Sequence, residues 1–290
     1  MEESQRKKQK LLTKKRRKTP LLLLYLNKGS RTMEIYLYIV KLLMYFIIYS
    51  FFGWVMESVL KTVIQKKPVN SGFLYGPFCP IYGFGAIIMF LFLQGFKEKP
   101  ILLFIIAFFV LSLWEYIVGW ALEKVFNTKY WDYTDNKFNI SGRVCLMNSL
   151  FWGFLGVIFI RYMHPYIMER VATINQTELV ILTVLLTIIM ITDAIISAIK
   201  VNDISISLEK LKEITASIKD KIEELNKKQI DKESIQQAIE ELKYKQTKIK
   251  RRLLRRTNRL KKAFPTMKSD AIEKINEFLK EKKENIRKSK

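Results

Sequence analysis

Long apolar runs fill the middle of this chain, and one of them, Ser71–Phe96, carries no charged residue at all. A membrane-crossing helix needs about 20 mostly apolar residues. Five stretches meet that need: Glu34–Ile64, Leu74–Gln94, Pro100–Phe126, Val144–Tyr162 and Thr177–Ile199. Lipid offers the backbone no hydrogen bonds, so such stretches fold as helices. The alternating strands of an outer-membrane barrel are absent from the sequence. The expected fold is therefore all-α: a polytopic helical membrane protein with two tandem helical hairpins plus a fifth span, followed by a cytoplasmic, coiled-coil-like helical region. Residues 1–32 read as a basic extension, 33–200 as the five-span domain and 201–290 as a basic helical tail.

The spans contain a repeated motif. Gly53-Trp54-Val55-Met56-Glu57 recurs as Gly119-Trp120-Ala121-Leu122-Glu123. Each copy is followed by a Ser-Gly pair (Ser71-Gly72, Ser141-Gly142) and then an aromatic-Gly-Phe triplet (Tyr82-Gly83-Phe84, Trp152-Gly153-Phe154). A short insertion in the second connecting loop, around Trp131-Asp132-Tyr133-Thr134-Asp135, lengthens the second copy between its Gly-Trp and Ser-Gly motifs. Residues of about 49–95 and 115–162 then form parallel repeats about an axis along the membrane normal, as some transporter halves do. Chance recurrence of glycine and aromatics, common in membrane helices, is the competing explanation.

Acids inside spans are costly and usually face a bundle interior or a water-filled cavity. Glu57, Glu115, Glu123 and Asp193, with Arg143 at the mouth of the fourth span, are the candidates for an intramembrane polar path for a cation, a proton or a positively charged group. The structural alternative pairs Glu57 with Lys61 one turn later and leaves Glu123 at the interface. Glu115 has no basic residue one turn away, and Asp193 lies two turns from Lys200. Arg143 is placed to pair with Glu57 or Glu123. Gly76, Pro77, Pro80, Gly83, Gly85 and Gly153 are the candidate helix-break and packing positions. Prolines disfavour a regular helix start, broken helix ends at membrane depth line cavities, and glycines admit close helix contact. Asn127–Arg143 reads as a structured interfacial cap.

These residues resemble the CmpB-like family of ABC-transporter permeases. The resemblance rests on Tyr49–Ser58 (YSFFGWVMES), Val69–Gly85 (VNSGFLYGPFCPIYGFG), Trp114–Lys124 (WEYIVGWALEK) and Trp131–Leu146 (WDYTDNKFNISGRVCL), within Tyr45–His164. It implies a multi-pass bacterial protein of the cytoplasmic (inner) membrane, related to transport, with a separate ATPase subunit as partner. It reaches neither the fifth span nor the tail.

The chain's own chemistry excludes much else. There is no Gly-x-x-x-x-Gly-Lys-Ser/Thr sequence, hence no P-loop. Two cysteines, Cys79 and Cys145, and one histidine, His164, are too few for a zinc site or a Cys–His nucleophile. No metal, no cofactor and no enzymatic activity are expected. An intramembrane enzyme using buried acids with His164 is the weakest of the readings.

The formal charge is +23, and much of it lies outside the spans. Met1–Thr32 lacks a cleavage site, and its Leu21–Leu24 core is too short to span. It reads either as a disordered basic tail or as a leader preceding a true start at Met33, with Lys28-Gly29 encodable by a ribosome-binding sequence. Positive residues favour the cytoplasm. With the C-terminus inside, inner loops hold Lys61, Lys66, Lys67, Lys124, Lys129, Lys137 and Arg143, and outer loops only Lys97, Lys99, Arg161 and Arg170. Five spans then put the N-terminus outside. If the extension is kept, a re-entrant span with both ends cytoplasmic is the alternative.

In the tail, apolar residues recur at Leu211, Ile214, Ile218, Ile222 and Leu225, then at Ile235, Ile239, Leu242, Ile249 and Leu253. That is amphipathic or coiled-coil spacing. The polar stretch Asn226–Glu233 predicts a helical hairpin rather than one continuous coiled coil, and the seam also permits self-association. A third short helix is expected to open at Ser269 or Asp270, after Pro265. Lys248, Lys250, Arg251, Arg252, Arg255, Arg256, Arg259, Lys261 and Lys262 form a basic cluster without an acid, suited to anionic membrane lipids or to a partner. Aromatic interleaving is poor, so no nucleic acid is expected. The leading function is a transport-related membrane component. The alternative is a non-transporting scaffold or signalling protein whose tail binds lipid or a partner.

Overall fold

The computed structural model describes residues 2–227, 232–269, 272, 273 and 275. In chain order it comprises α1 (Glu2–Gln65), α2 (Pro80–Leu93) with a terminal 3-10 turn (Gln94–Phe96), α3 (Pro100–Phe126), β1 (Thr128–Lys129), α4 (Leu146–Ile158), a π-helical turn (Phe159–Met163), α5 (His164–Ala172), α6 (Gln176–Lys227), α7 (Lys232–Ala263) and β2 (Lys268–Ser269). Among the described residues, four helical stretches are long and apolar enough to cross a membrane: Thr32–Gln65, Pro100–Phe126, Leu146–Ala172 and the α6 stretch Gln176–Glu223. Large apolar side chains such as Phe92, Phe109, Phe154 and Ile188 are exposed on the outside, the arrangement of a bundle whose solvent is lipid.

The expected second span departs from a plain helix. Its regular part begins at Pro80, not Leu74, and with the 3-10 turn forms a shorter apolar helix, Pro80–Phe96. Pro80 occupies the first helical turn, where a missing N–H costs nothing. Pro77 keeps the preceding residues out of the helix. The irregular stretch is tied back to α1, because the Cys79 amide donates to the Ser50 carbonyl at 2.9 Å.

α1 packs on α2, and α3 on α4, through small residues. A Cβ on Gly83 would overlap Ser50 Oγ and the Phe46 carbonyl oxygen, and one on Gly153 would come 2.6 Å from the Phe104 ring. The two contacts are not in equivalent register. Alignment of the repeated motifs would set Gly153 beside Ser112 or Tyr116, roughly two to three turns further along α3. The shared core joins Met44, Tyr45 and Tyr49 of α1 to Met89 and Leu93 of α2, Leu103 and Leu111 of α3, and Leu179 of α6. Pro165, early in α5, cannot donate to the preceding turn, and the π-turn just before it, where the His164 amide reaches Phe159, accommodates the break.

α6 does not stop where the composition turns polar. It continues for 52 residues from the fifth span into the tail, with neither proline nor glycine to interrupt it. α7 runs back along it antiparallel: Gln246 Nε2 donates to Thr215 Oγ1 at 2.6 Å, and Arg256 Nη1 meets Asp203 Oδ2 at 3.3 Å. Leu208 and Leu211 of α6 share a second core with Leu253 and Leu260 of α7. α1 likewise extends back through the basic stretch to Glu2. Of the turn expected at 226–233, residues 228–231 lie outside the described residues, while 226–227 close α6 and 232–233 open α7. Ser269, one of the two expected starts of a third helix, lies in β2 instead, and the other, Asp270, is outside the described residues.

The end of α7 brings the loops after α1 and α3 to one face. Lys61 donates to the Ala263 carbonyl, and Gln65 Nε2 to the Lys262 carbonyl at 2.9 Å. β2 pairs antiparallel with β1, Thr128 opposite Ser269 and Lys129 opposite Lys268. Since α1 and α3 both end at this face, the chain must return between them through α2.

Candidate functional site

At the junction of the two helix pairs lies a cavity of about 450 Å³, its walls drawn from α1, the broken stretch and start of α2, α3, the second loop, α4 and the tail. Glu57 and Glu115 both line it. Around them stand aromatic residues, among them Phe73, Tyr82, Trp114, Trp131, Tyr133 and Trp152.

The two carboxylates are held differently. Glu57 Oε1 is paired with Lys61 Nζ at 2.5 Å, one helical turn on, and its Oε2 accepts from Cys79 Sγ at 3.6 Å. Glu115 is 4% exposed and meets only uncharged donors: Trp152 Nε1 at 2.9 Å, Asn148 Nδ2 at 3.2 Å and the Tyr133 hydroxyl at 3.3 Å. Three donors offset much of the cost of burying a carboxyl group. Burial, and next the neighbouring Glu115, push the Tyr133 hydroxyl well above the usual phenol range, so Tyr133 keeps its proton to donate.

The other acids lie elsewhere. Glu123 Oε2 pairs with Arg143 Nη2 at 2.7 Å, so of the two partners open to Arg143 it takes Glu123 rather than Glu57. Asp193 accepts from the backbone amides of Tyr75 (3.1 Å) and Gly76 (2.7 Å). It replaces the helical acceptors that the broken stretch lacks, and a Cβ at Gly76 would come within 2.9 Å of its carboxylate. Tyr75 is further held between Lys200 and Arg259, each 3.8 Å from the ring centroid. Of the remaining packing positions, Pro77 belongs to the broken stretch, Pro80 lines the cavity, and Gly85 makes only ordinary contact with Trp114.

The basic cluster is divided between interior and surface. Arg256 turns to Asp203, and Arg259 donates to the carbonyls of Phe73 and Leu74. Lys248, Arg251, Arg252, Arg255, Lys261 and Lys262 are exposed, and Lys250 is half-buried.

One part of the site left no signal in the hydropathy pattern. Phe264, Pro265 and Thr266, from the end of the tail, form part of the cavity wall. They are pinned to the second loop. Asp132 binds Lys129 at 2.6 Å and also Lys268, its amide donates to Thr266 Oγ1 at 3.2 Å, and Phe264 meets the edge of Tyr130 at 5.0 Å. Burial alone would raise the Asp132 carboxyl, but hydrogen bonds from Lys129, Lys268 and Thr134 outweigh it and hold the group below the usual carboxylate range. A depressed carboxylate stabilises above its unfolded value and loses that contribution as the pH falls. The tail should therefore hold to the loop at neutral pH and loosen below about pH 4. Hydrogen exchange at residues 264–269, corrected for intrinsic rates, should speed up over that range in the native chain. In Asp132→Asn it should be fast already at pH 7.

His164 is buried away from the two acids. Its Nδ1 is 2.7 Å from the Tyr49 hydroxyl, among the rings of Tyr45, Phe90 and Phe159. Both cysteines are buried and free. Among the described residues no group of three or more His, Cys, Asp or Glu is placed to hold a metal ion.

Residues 44–198 match the family described as "Putative ABC-transporter type IV", the ABC-transporter CmpB family. The chain belongs to this family. No curated protein and no solved structure matches it. The CmpB-family segment runs from within α1 into α6, so it contains Glu57, Glu115, Glu123, Arg143 and Asp193 together with the packing glycines. This CmpB-family chain is thus a multi-pass membrane protein of the ABC-permease type, a transport-related component rather than an enzyme. The tail residues that complete the cavity wall lie beyond the matched segment.

Proposed function

We propose that the chain is the membrane subunit of an ATP-driven transport system, with the cavity between its two helix pairs as the substrate site and a separate ATPase as its engine. The observation that carries this reading is the pairing of Glu57 and Glu115 on the walls of one aromatic-lined cavity of about 450 Å³. That is the size and composition of a small-molecule site, placed at the junction of two helical hairpins. The sequence contains no Gly-x-x-x-x-Gly-Lys-Ser/Thr loop, which supports a separate ATPase as the source of energy.

The face that carries the tail also carries Lys61, Lys66, Lys67, Lys124 and Lys129, which supports a cytoplasmic location for it in the inner membrane. The exposed residues Lys248, Arg251, Arg252 and Arg255 then face anionic headgroups or the ATPase. Affinity purification of the tagged full-length chain from native membranes tests the proposal. An ATPase should co-purify, and its hydrolysis should be uncoupled by Glu115→Gln. Recovery of the intact chain with no ATPase would leave a membrane anchor.

A further inference from the structure

We infer that the ligand is an amphipathic organic cation: an ammonium head bearing at least one N–H, joined to an apolar body of aromatic or short-alkyl size. This rests on the cavity being a substrate site and names the chemistry it would select. A second cavity of about 260 Å³ adjoins the first, and Ile81, Tyr82, Trp114 and Trp152 line both. The two chambers differ in kind. The first contains two acids and one base, Glu57, Glu115 and Lys61, while the second has no charged residue in its wall.

Charge decides which head fits the first chamber. Lys61 already pairs with Glu57, whereas Glu115 has only uncharged donors, so Glu115 is the carboxyl group of this chamber without a cationic partner among the described residues. An anion would meet a carboxyl group and electron-rich ring faces, neither of which stabilises it. A cation would meet a carboxyl group and aromatic faces, both of which attract it. The indole N–H groups of Trp114 and Trp152 are committed to Ile81 and Glu115, which leaves their ring faces as the chamber surface. Tyr130 supplies an independent sign of a missing partner. It lines the same chamber at 2% exposure, and its hydroxyl has no hydrogen-bond partner among the described residues. An ammonium N–H would satisfy that oxygen.

The apolar body belongs in the second chamber, bounded by Val55, Met56, Met89, Leu111 and Leu155. Its rim includes Phe52, exposed on the outer face of α1, so an amphiphile dissolved in the bilayer reaches it sideways.

Three probes of matched shape test the assignment: 4-phenylbutylammonium, the anion 5-phenylpentanoate and the neutral 4-phenylbutan-1-ol. Binding to the full chain in phosphatidylcholine nanodiscs is read from quenching of tryptophan fluorescence, with empty discs as the blank. The cation should bind saturably and about ten-fold more tightly than either analogue. Glu115→Gln should abolish that preference. Tyr130→Phe, which removes only the unpaired hydroxyl, should weaken the cation several-fold without lowering the melting temperature. Val55→Trp, which fills the apolar chamber, should weaken all three probes. Equal or tighter binding of the anion or the alcohol would overturn the cationic assignment while leaving the cavity as a ligand site. Failure of every probe to bind would overturn both.

Discussion

Glu115→Ala is expected to cost roughly 2–4 kcal/mol of stability and to eliminate ligand binding. The larger part of the stability loss comes from Trp152, whose indole N–H would lose the carboxylate 2.9 Å away. Asn148 Nδ2 and the Tyr133 hydroxyl would still have each other at 2.6 Å, so their loss is smaller. Glu115→Gln separates the two roles. The amide oxygen can still accept from Trp152, so the melting temperature should fall much less, while binding and coupled transport should fall as far as in the alanine variant. Thermal unfolding in detergent, followed by tryptophan emission, measures the first effect, and uptake or binding assays the second. Equal loss of stability and function in both variants would mean that Glu115 serves packing alone.

Gly83→Leu is expected to prevent the first hairpin from closing, at a cost of about 3 kcal/mol or more, and to deplete the folded protein from membranes. Any side chain there meets the Phe46 carbonyl oxygen, which is part of the α1 backbone and cannot rotate away. Gly85→Ala, two residues on, is the control. Its Cβ would sit 3.7 Å from Trp114, an ordinary contact. Alanine also favours the helix over glycine by up to about 1 kcal/mol, so this variant should fold as well as the parent or slightly better. Expression level and melting temperature of the two variants, compared side by side, give the result. A tolerated Gly83→Leu would mean that α1 and α2 do not pack as closely as described.

The helices themselves were legible because hydropathy and proline are local signals. Pro100–Phe126 is a helix with the bounds that its apolar run suggested. Pro77 and Pro80 marked the broken stretch, although not the residue at which regular helix resumes. The partners of the acids were legible only where they lie one turn away, as Lys61 does from Glu57. Glu115 finds its donors on the second loop and on α4, far along the chain, and no spacing rule could name Tyr133, Asn148 and Trp152. Asp193 gave no sign that it would cap the amides of Tyr75 and Gly76, because that need arises only where the broken stretch meets α6. In the basic cluster, composition alone could not separate Arg259, drawn inward to the Phe73 and Leu74 carbonyls, from the exposed Arg255 beside it in the same helix.

By itself, the amino-acid sequence determined that this chain crosses a lipid bilayer as helices, where acids and prolines interrupt them, and that its tail is amphipathic and basic. Those properties follow from residue-by-residue transfer to lipid and from backbone hydrogen bonding, both of which depend on near neighbours. Only the tertiary structure decided that Glu57 and Glu115 share a cavity, that Arg143 pairs with Glu123, and that Phe264 and Thr266 of the tail complete the wall. These depend on contacts between distant segments, where side-chain shape and the return of α7 along α6 select among pairings that composition leaves equal.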